Sequence, residues 1–271
     1  MTTLAVSDAD DPRLADYRAL NDQAFRRRFE GDELCIAEGF VATERLIRSG
    51  HEVRSVLLAT SRLARFEERA AELAARGVPV LVAPADVIAG VVGFDLHRGV
   101  VAAANRRPAP TLDELARECT RLAVLEGLND AENLGAIARA SRALGIDALV
   151  IDPTCTDPYS RRSIRVSMGE ILMLPVVRVA AADWSELFAA LRNRGFESWA
   201  LTPAADAEDI WTLTAPDRLA VVLGAEGTGL ARRSLAAASR RVRIPVRAGV
   251  DSLNVGHAAA ITFAAIGRSR T

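Results

Sequence analysis

The sequence predicts an α/β protein made of two successive regions, and three observations support this. Short aliphatic and β-branched runs alternate with helical patterns along the chain, which is typical of layered α/β folds. The stretch 106–118 opens with two arginines and two prolines, interrupts the alternation and indicates a linker. The alternation then restarts for about 150 residues, an ordinary domain size. We therefore predict an N-terminal domain over 1–107, a linker with the start of a helix over 108–118, and a C-terminal domain over 119–271.

The N-terminal domain opens with a predicted helix over 13–30 that ends in the basic cluster Arg26, Arg27 and Arg28. A short strand and a helix follow within 33–50, where Gly50 ends the helix. The remaining segments are a strand, an amphipathic helix and two further strands. These four lie at 53–60, 62–77, 78–83 and 97–106.

The linker leads into a helix whose N-cap is Thr111, because a threonine hydroxyl accepts a hydrogen bond from a free amide of the first turn. The C-terminal domain then repeats strand and helix in turn. Predicted strands lie at 121–128, 148–153, 175–180, 197–203, the first part of 218–230, and 240–246. Predicted helices lie at 133–144, 160–172, 183–194, 230–238 and 252–267.

The composition is that of an ordinary globular protein of 271 residues. Its formal net charge is −1, so a nucleic-acid partner would have to be held by a local basic face. All 34 basic residues are arginines, whose planar guanidinium binds two phosphate oxygens at once. A GC-rich genome is the simpler explanation for the absence of lysine.

Cysteine and histidine usage argues against disulfides and metal sites. Cys35, Cys119 and Cys155 are far apart and odd in number, which suits a reducing cytosol. The three histidines show no ligand spacing, so we expect no metal. The acidic N-terminus lacks the features of a signal peptide, and no apolar run reaches the roughly 20 residues that span a bilayer. We therefore expect a cytoplasmic protein that does not enter a membrane.

The stretch NDAENLGAIARASRALGID, 129–147, predicts a helix with a glycine in its first turn. Helical spacing places Leu134 and Ile137 on the core side and Arg139 opposite them. Gly135 lies four residues before Arg139, so we predict that both share the outward face and leave room for a ligand. A solvated surface arginine is the alternative.

A second stretch, LGAEGTGL at 223–230, follows a β-branched strand and precedes a helix. In α/β proteins such glycine loops bind anionic or nucleotide-like ligands at the carboxyl ends of strands. The spacing matches neither the dinucleotide fingerprint nor the phosphate-binding loop of nucleoside triphosphatases. Glu226 would repel a phosphate but would tolerate a cationic ligand. The alternative is a tight turn in which the glycines supply positive φ angles.

A third stretch, IPVRAGVDSLNVGHAAAI at 244–261, runs from a strand end through a loop into an alanine-rich helix. Asp251, Ser252 and Asn254 are each candidates for the helix N-cap and nothing more. The small residues at the start of this helix allow close packing against another element, which includes a dimer partner.

In this order, ENLGAIARA, LGAEGTGL and IPV…DSLNV resemble the motifs of the SpoU/TrmH family of RNA ribose methyltransferases, in the SPOUT superfamily. The resemblance covers 120–268, and 157–176 matches the segment that follows the family's first motif. Residues 32–104 resemble the family's substrate-binding domain more loosely. The resemblance implies a C-terminal SPOUT α/β domain with a deep trefoil knot, a smaller N-terminal α/β ribosomal-protein-like RNA-binding domain, and a homodimer formed through the C-terminal domain.

The same resemblance implies S-adenosyl-L-methionine as the cofactor and a ribose 2′-hydroxyl as the methyl acceptor. The family's catalytic positions correspond to Asn133, Arg139, Glu226, Ser252 and Asn254. The positions that would bind the cofactor are Thr202, Leu223, Gly224, Gly227, Gly229, Ile244, Pro245, Ser252, Leu253 and Asn254. An arginine stays protonated in proteins, so we expect Arg139 to bind the adjacent phosphate and stabilise the developing alkoxide instead of acting as a base.

An RNA substrate also requires cationic side chains that contact its phosphates. The strongest candidates follow the first motif, further candidates lie near the N-terminus, and two lie in the linker. They are Arg161, Arg162 and Arg165, then Arg26, Arg27 and Arg28, then Arg106 and Arg107. Tyr159 is a candidate for stacking on a base, with a packing role as the alternative.

The extra N-terminal domain favours ribosomal RNA over transfer RNA, by analogy with the family. Three alternatives remain: a transfer RNA ribose methyltransferase, a methyltransferase that protects ribosomal RNA from an antibiotic, and a non-catalytic RNA-binding or ribosome-assembly protein. A nucleotide-binding enzyme of another chemistry, such as a dehydrogenase, is disfavoured by the missing dinucleotide fingerprint.

Overall fold

The computed structural model describes residues 3–22, 24–26 and 33–267. The chain divides into two compact units. The first unit reaches Pro108 and also contains Tyr159–Met173, while the second contains Ala109–Pro158 and the chain from Leu174 onward. Each unit contains a β-sheet flanked by helices, so the predicted α/β class is confirmed.

The first unit is built on a sheet with the strand order β1-β4-β3-β5-β2. Strand β5 is antiparallel to both β2 and β3, whereas β3, β4 and β1 are parallel. As a result β2, β3 and β4 all end at the same edge, and a helix begins after each of them. The elements are β1 (Thr3–Ala5), β2 (Leu34–Glu38), α1 (Phe40–Arg48), β3 (Glu52–Ala59), α2 (Leu63–Ala75), β4 (Val80–Ala83), α3 (Ala85–Val92) and β5 (Val100–Asn105).

The segment Tyr159–Met173 packs with the first unit although it lies within the predicted C-terminal domain. It contains helix α6 (Arg161–Val166), which packs against β2. Two ion pairs attach it there: Arg161 to Glu38 at 2.8 Å and Arg45 to Glu170 at 2.6 Å. The predicted helix over 160–172 is shorter than expected, because the backbone turns to positive φ at Met168 and Gly169.

The N-terminal segment departs most from the sequence-based prediction. A single helix over 13–30 is wrong for the residues described there, because a 3-10 helix over Pro12–Tyr17 ends in extended backbone at Arg18. Strand β1 and helix α3 were not predicted. Helix α3 is short and mostly apolar, so the spacing of its buried residues Ile88, Val91 and Val92 covers too few turns to stand out in the sequence.

The second unit is built on a parallel sheet with the strand order β10-β12-β9-β11-β6-β7-β8. Its helix α4 (Leu112–Glu118) begins at the predicted N-cap, where the Thr111 hydroxyl accepts a hydrogen bond from the Glu114 amide at 3.2 Å. The other elements are β6 (Arg121–Glu126), α5 (Ala131–Ala143), β7 (Ala148–Ile151), β8 (Val176–Arg178), α7 (Trp184–Asn193), β9 (Glu197–Leu201), β10 (Glu208–Asp209), β11 (Leu219–Gly224), α8 (Arg232–Ala237), β12 (Arg240–Arg243) and α9 (Val255–Gly267).

Helices cover both faces of this sheet. On one face, Leu122 and Val124 of β6 pack into a core with Trp184 and Phe188 of α7. On the other side, α5 and α9 pack against each other at close range: a Cβ placed on Gly256 would lie 3.3 Å from the Cβ of Ala136. The small residues predicted to allow close packing therefore serve a contact within the chain. None of the helices described here is long and apolar enough to cross a membrane.

His51 of the first unit is buried beneath side chains of the same unit. Its Nδ1 is 2.8 Å from the Ser49 hydroxyl, its ring meets the Tyr159 ring edge-on at 5.3 Å, and its Nε2 has no hydrogen-bond partner among the described residues. Burial lowers the pKa of His51 from 6.5 to about 4, and the charges of Arg107 and Arg106 lower it further. The neutral ring is therefore part of the folded structure.

We predict that His51 makes the free energy of unfolding pH-dependent. Between the folded pKa of about 4 and the unfolded value of 6.5 the unfolded chain binds the extra proton, so this part of the stability is lost as the pH falls. The expected loss is roughly 3 kcal/mol. Urea unfolding of the wild type and of His51→Gln between pH 4 and 7 measures it, and the variant should show a flatter pH dependence.

His97→Gln is the matched control, because His97 is exposed in the same unit. Its pH dependence should parallel that of the wild type. Parallel curves for His51→Gln and the wild type would show that His51 is not the titrating group.

Candidate active site

The predicted site residues follow the carboxyl ends of neighbouring strands in the second unit. Parallel strands end at the same edge of a sheet, so the segments after β9, β11, β12 and β6 begin close together. These segments carry Thr202, the loop 224–230, the loop 244–254 and the start of α5. The three motifs are therefore brought to one edge by the topology of the sheet.

Asn254 connects the three motifs through hydrogen bonds. Its Nδ2 donates to Asn133 Oδ1 at 2.9 Å and also to a carboxylate oxygen of Glu226. Its Oδ1 accepts from the backbone amides of Gly256 at 2.9 Å and His257 at 3.2 Å. Asn254 thus caps α9, which is one of the roles predicted for it from the sequence. It also bridges α5 and the glycine loop.

Asn133 and Glu226 differ in their exposure. Asn133 is buried in the first turn of α5, whose N-cap Asp130 accepts a hydrogen bond from Glu132 at 2.9 Å. Glu226 is exposed at the edge of its loop, and Asn254 holds its carboxylate in place. The cluster therefore combines a fixed amide pair with a carboxylate that faces solvent.

Arg139 lies on the exposed side of α5, as its helical spacing predicts. Within the described residues its guanidinium has no hydrogen bond and no ion pair. The prediction that Gly135 shares this outward face is wrong, because Gly135 is buried. Gly135 therefore opens no space in front of Arg139, which is itself exposed.

The loop after β11 folds tightly back on the strand end. A Cβ on Gly224 would overlap the backbone of Gly229 and Leu230, so only glycine fits there. The amide of Gly229 donates to the carbonyl of Ala225 at 3.0 Å, and Gly227 and Gly229 have φ angles of +80° and +65°. The tight turn predicted as an alternative therefore exists, and its outer backbone is exposed to solvent.

The remaining predicted cofactor residues surround this loop in different environments. Thr202 is half-buried, and its amide donates to the Val242 carbonyl at 3.0 Å. Leu223 is buried, Ile244 is half-buried, and three others are exposed: Pro245, Ser252 and Leu253. Ser252 forms no hydrogen bond within the described chain, so the structure does not join it to the Asn254 cluster.

One residue at this edge was not predicted from the sequence. Glu126 ends β6 and is 7% exposed, yet its Oε2 has no hydrogen-bond partner among the described residues. Its sequence signal was a carboxylate directly after a buried strand, at the edge where the other motifs meet. The pattern indicated only the strand.

The predicted phosphate contacts are placed in several environments. Arg26 is buried and donates to the backbone carbonyls of Asp16 at 2.9 Å and Arg18 at 3.2 Å, which argues against a phosphate contact. Arg27 and Arg28 lie outside the described residues. Arg161 lies over the ring of Phe94 at 4.9 Å in addition to pairing with Glu38.

Two other candidates, Arg162 and Arg165, are exposed on α6. Arg106 lies 5.4 Å from the ring centre of Tyr159, and Arg107 donates to the Ser49 carbonyl at 3.3 Å. Tyr159 thus contacts both Arg106 and His51 within the first unit, which favours the packing role.

The groups that could hold a metal ion do not converge in the described part of the chain: no three carboxylate, histidine or cysteine side chains come together. Burial raises the pKa of Cys155 to about 12 and that of Cys119 to about 11. Cys35, Cys119 and Cys155 are all buried. The chemistry of the edge therefore rests on amides, carboxylates and arginine.

Comparison with models of known protein families identifies the family to which the chain belongs. A model of the SpoU rRNA methylase family matches residues 121–264, which include all three motifs. The chain belongs to the SpoU family. A model described as RNA 2′-O ribose methyltransferase substrate binding matches residues 36–110. The resemblance stated from the sequence is thereby confirmed for both regions.

Curated SpoU relatives match most of the chain. An uncharacterized tRNA/rRNA methyltransferase of Mycobacterium tuberculosis is 42% identical over 262 residues, covering 95% of this chain and 89% of the relative. The 23S rRNA (guanosine-2′-O-)-methyltransferase RlmB of Ralstonia nicotianae is 30% identical over 242 residues, covering 86% of this chain and 95% of that protein.

Solved SpoU structures show the same fold. An AdoMet-bound rRNA methyltransferase from Sinorhizobium meliloti matches with a TM-score of 0.83 at 25% identity, over 99% of this chain and 98% of that one. An RNA 2′-O ribose methyltransferase matches with a TM-score of 0.77 at 26% identity, over 98% and 99%. The α/β architecture is thus that of SpoU methyltransferases.

Proposed function

We propose that this SpoU protein transfers a methyl group from S-adenosylmethionine to a ribose 2′-hydroxyl of RNA, with ribosomal RNA as the favoured substrate. The observation that carries the proposal is the Asn254 bridge, which joins Asn133 and Glu226 beside a glycine loop at the carboxyl edge. The similarity to RlmB, whose name states a 23S rRNA guanosine 2′-O-methyltransferase, supports both the reaction and the ribosomal RNA.

The residues at this edge fit the cofactor chemically. Gly227 and Gly229 leave backbone groups open to the adenosine, because no Cβ stands in the way. Glu126 and Glu226 suit a ligand with positive charge, which S-adenosylmethionine carries on its sulfonium and ammonium groups. When bound, the cofactor supplies an electrophilic methyl carbon, and S-adenosylhomocysteine is the leaving product.

Within this proposal the chain's own residues position and activate the acceptor. Asn133 and Asn254 hold Glu226 and the loop in place, and Arg139 is free to contact the phosphate next to the acceptor ribose. Its guanidinium stabilises the alkoxide that develops as the 2′-oxygen bonds to the methyl carbon and its proton leaves to solvent. Ser252, Leu253, Pro245, Ile244, Leu223 and Thr202 would complete the cofactor pocket, as in the resemblance.

The proposal includes the family's deep trefoil knot in the second unit and a homodimer formed through that unit. Four exposed apolar side chains support a partner surface there: Trp211, Val246, Val250 and Leu253. Covering them by a second copy would remove apolar area from water.

Replacing Arg139 tests the proposed reaction. Labelled S-adenosylmethionine is incubated with unmodified ribosomal RNA and, separately, with transfer RNA, and the RNA is digested for nucleoside analysis. We expect the wild type to yield a 2′-O-methylnucleoside, and Arg139→Ala to lose methyl transfer by about 100-fold or more while its affinity for the cofactor stays unchanged.

Arg142→Ala is the matched control, because Arg142 is also exposed on α5, three residues further on. It should retain most of the activity. Wild-type transfer to a nucleobase, or a wild type that neither transfers nor binds the cofactor, would refute the proposed function. Loss of both transfer and cofactor binding in Arg139→Ala would refute only the role of the arginine.

RNA binding in the first unit is supported by a row of arginines at the edge where β2, β3 and β4 end. Arg62, Arg65 and Arg98 are exposed there and have no ion pair within the described chain. The Arg98 Cδ lies 2.7 Å from where a Cβ of Gly39 would be, and the Arg62 Cγ lies 2.7 Å from that of Gly99. A Cβ at either glycine would displace the arginine stem from this path along the backbone.

This edge, which we call the arginine edge, also carries an aromatic side chain. The Arg65 guanidinium lies 4.4 Å above the centre of the Phe40 ring. Exposed guanidinium groups without carboxylate partners suit a phosphodiester chain. All three arginines lie within the region matched by the substrate-binding model.

We predict that the arginine edge sets the salt dependence of RNA binding. Arg62→Ala with Arg98→Ala should weaken binding of ribosomal RNA and lower the slope of log K against log[salt] by about 2, one for each lost phosphate contact. Filter binding over a salt series measures the slope, and cofactor affinity serves as a check on folding.

The matched control is Arg48→Ala with Arg76→Ala, which removes the same charge at the opposite ends of helices α1 and α2. The control should leave the slope within about 0.5 of the wild type. Equal slopes for both double variants would contradict a phosphate-binding role for the arginine edge.

A further inference from the structure

The carboxylate of Glu126 is buried at the candidate active site without a partner. It lies at the end of β6, and in the sheet its residue pairs with Gly224 of β11. Its side chain is 7% exposed, and Oε2 receives no hydrogen bond from any described residue. Removing a carboxylate from water without compensation is costly, so a compensating positive group is expected when the site is in use.

The position of Glu126 in the strand shows where its carboxylate lies. Successive side chains of a strand alternate between faces, so Glu126 shares its face with Leu122 and Val124. Gly224 on the neighbouring strand supplies no side chain, and the backbone of Gly229 lies against it instead. The carboxylate of Glu126 therefore lies beside the glycine loop proposed to hold the cofactor.

The described part of the chain supplies no cation for Glu126. Arg178, the last residue of β8, donates to the carbonyls of Asp152, Cys155 and Thr156. Arg243, at the end of β12, donates to the carbonyl of Ala207 at 3.1 Å. With these arginines engaged and no carboxylate cluster for a metal, the positive group is expected to come with a ligand.

We propose that Glu126 binds the α-ammonium group in the methionine part of S-adenosylmethionine. This inference rests on the proposed function and assigns a residue to one end of the cofactor. The sulfonium is the less suitable partner, because its positive charge disappears during methyl transfer. A carboxylate beside it would stabilise the bound cofactor more than the transition state and would slow the reaction. The charge of the ammonium does not change, so pairing it with Glu126 raises affinity without opposing transfer.

The test compares three ligands that differ in charge and length. S-adenosylmethionine has both cationic groups, S-adenosylhomocysteine has only the ammonium, and 5′-methylthioadenosine has neither. Calorimetric titration of Glu126→Gln should show about 10-fold or greater loss of affinity for the first two in equal measure, and no change for the third. The melting temperature of the ligand-free variant should equal or exceed that of the wild type, since the substitution removes an uncompensated buried charge.

Glu118→Gln, at an exposed position in the same unit, is the control and should bind all three ligands as the wild type does. Loss confined to S-adenosylmethionine would place Glu126 at the sulfonium and overturn the assignment. Equal loss for all three ligands, or no loss for any, would overturn it as well. A wild type that binds none of the three would overturn the proposed function itself, so the two failures are distinguishable.

Discussion

The amide of Asn254 is the interaction on which the candidate active site depends. It bridges residues that lie 121 and 28 positions away in the chain, Asn133 and Glu226. The same side chain accepts the first amides of α9, so helix capping and site assembly share one group. A carboxamide suits this role because it offers two donor hydrogens and an acceptor oxygen in one plane.

The parallel sheet makes this bridge possible. Strands β6, β11 and β12 run in the same direction, so the segments that follow them begin at one edge. Close packing of α5 on α9, allowed by Gly256 and Ala136, brings Asn133 within reach of Asn254. Gly224 folds the loop back so that Glu226 reaches the same amide. At Gly256 and Gly224, the absence of a Cβ allows a neighbouring segment to approach closely.

Much of this arrangement follows from local sequence. The alternation of apolar and helical runs predicted the α/β class, and Thr111 as a candidate N-cap predicted the start of α4. Strand ends followed by glycine and polar residues located the edge of the site. These features depend on residues close in the chain, where periodicity and capping act.

Other features depend on contacts between distant residues and were missed. Gly135 is buried although Arg139, four residues further on in the same helix, is exposed, which helical spacing alone does not reveal. Arg26 is buried and donates a hydrogen bond to the backbone carbonyl of Asp16. The segment Tyr159–Met173 packs with the first unit through ion pairs to α1 and β2. Glu126 has the pattern of a strand residue, and only its burial without a partner distinguishes it.

A double-mutant cycle between Asn133 and Asn254 tests most directly whether this bridge assembles the site. The measured quantity is the free energy of S-adenosylmethionine binding to the wild type, Asn133→Ala, Asn254→Ala and the double variant. The account predicts a coupling energy of about 1 kcal/mol or more, because either substitution breaks the same hydrogen bond. Additivity to within about 0.3 kcal/mol would show that the two residues act independently and would contradict it.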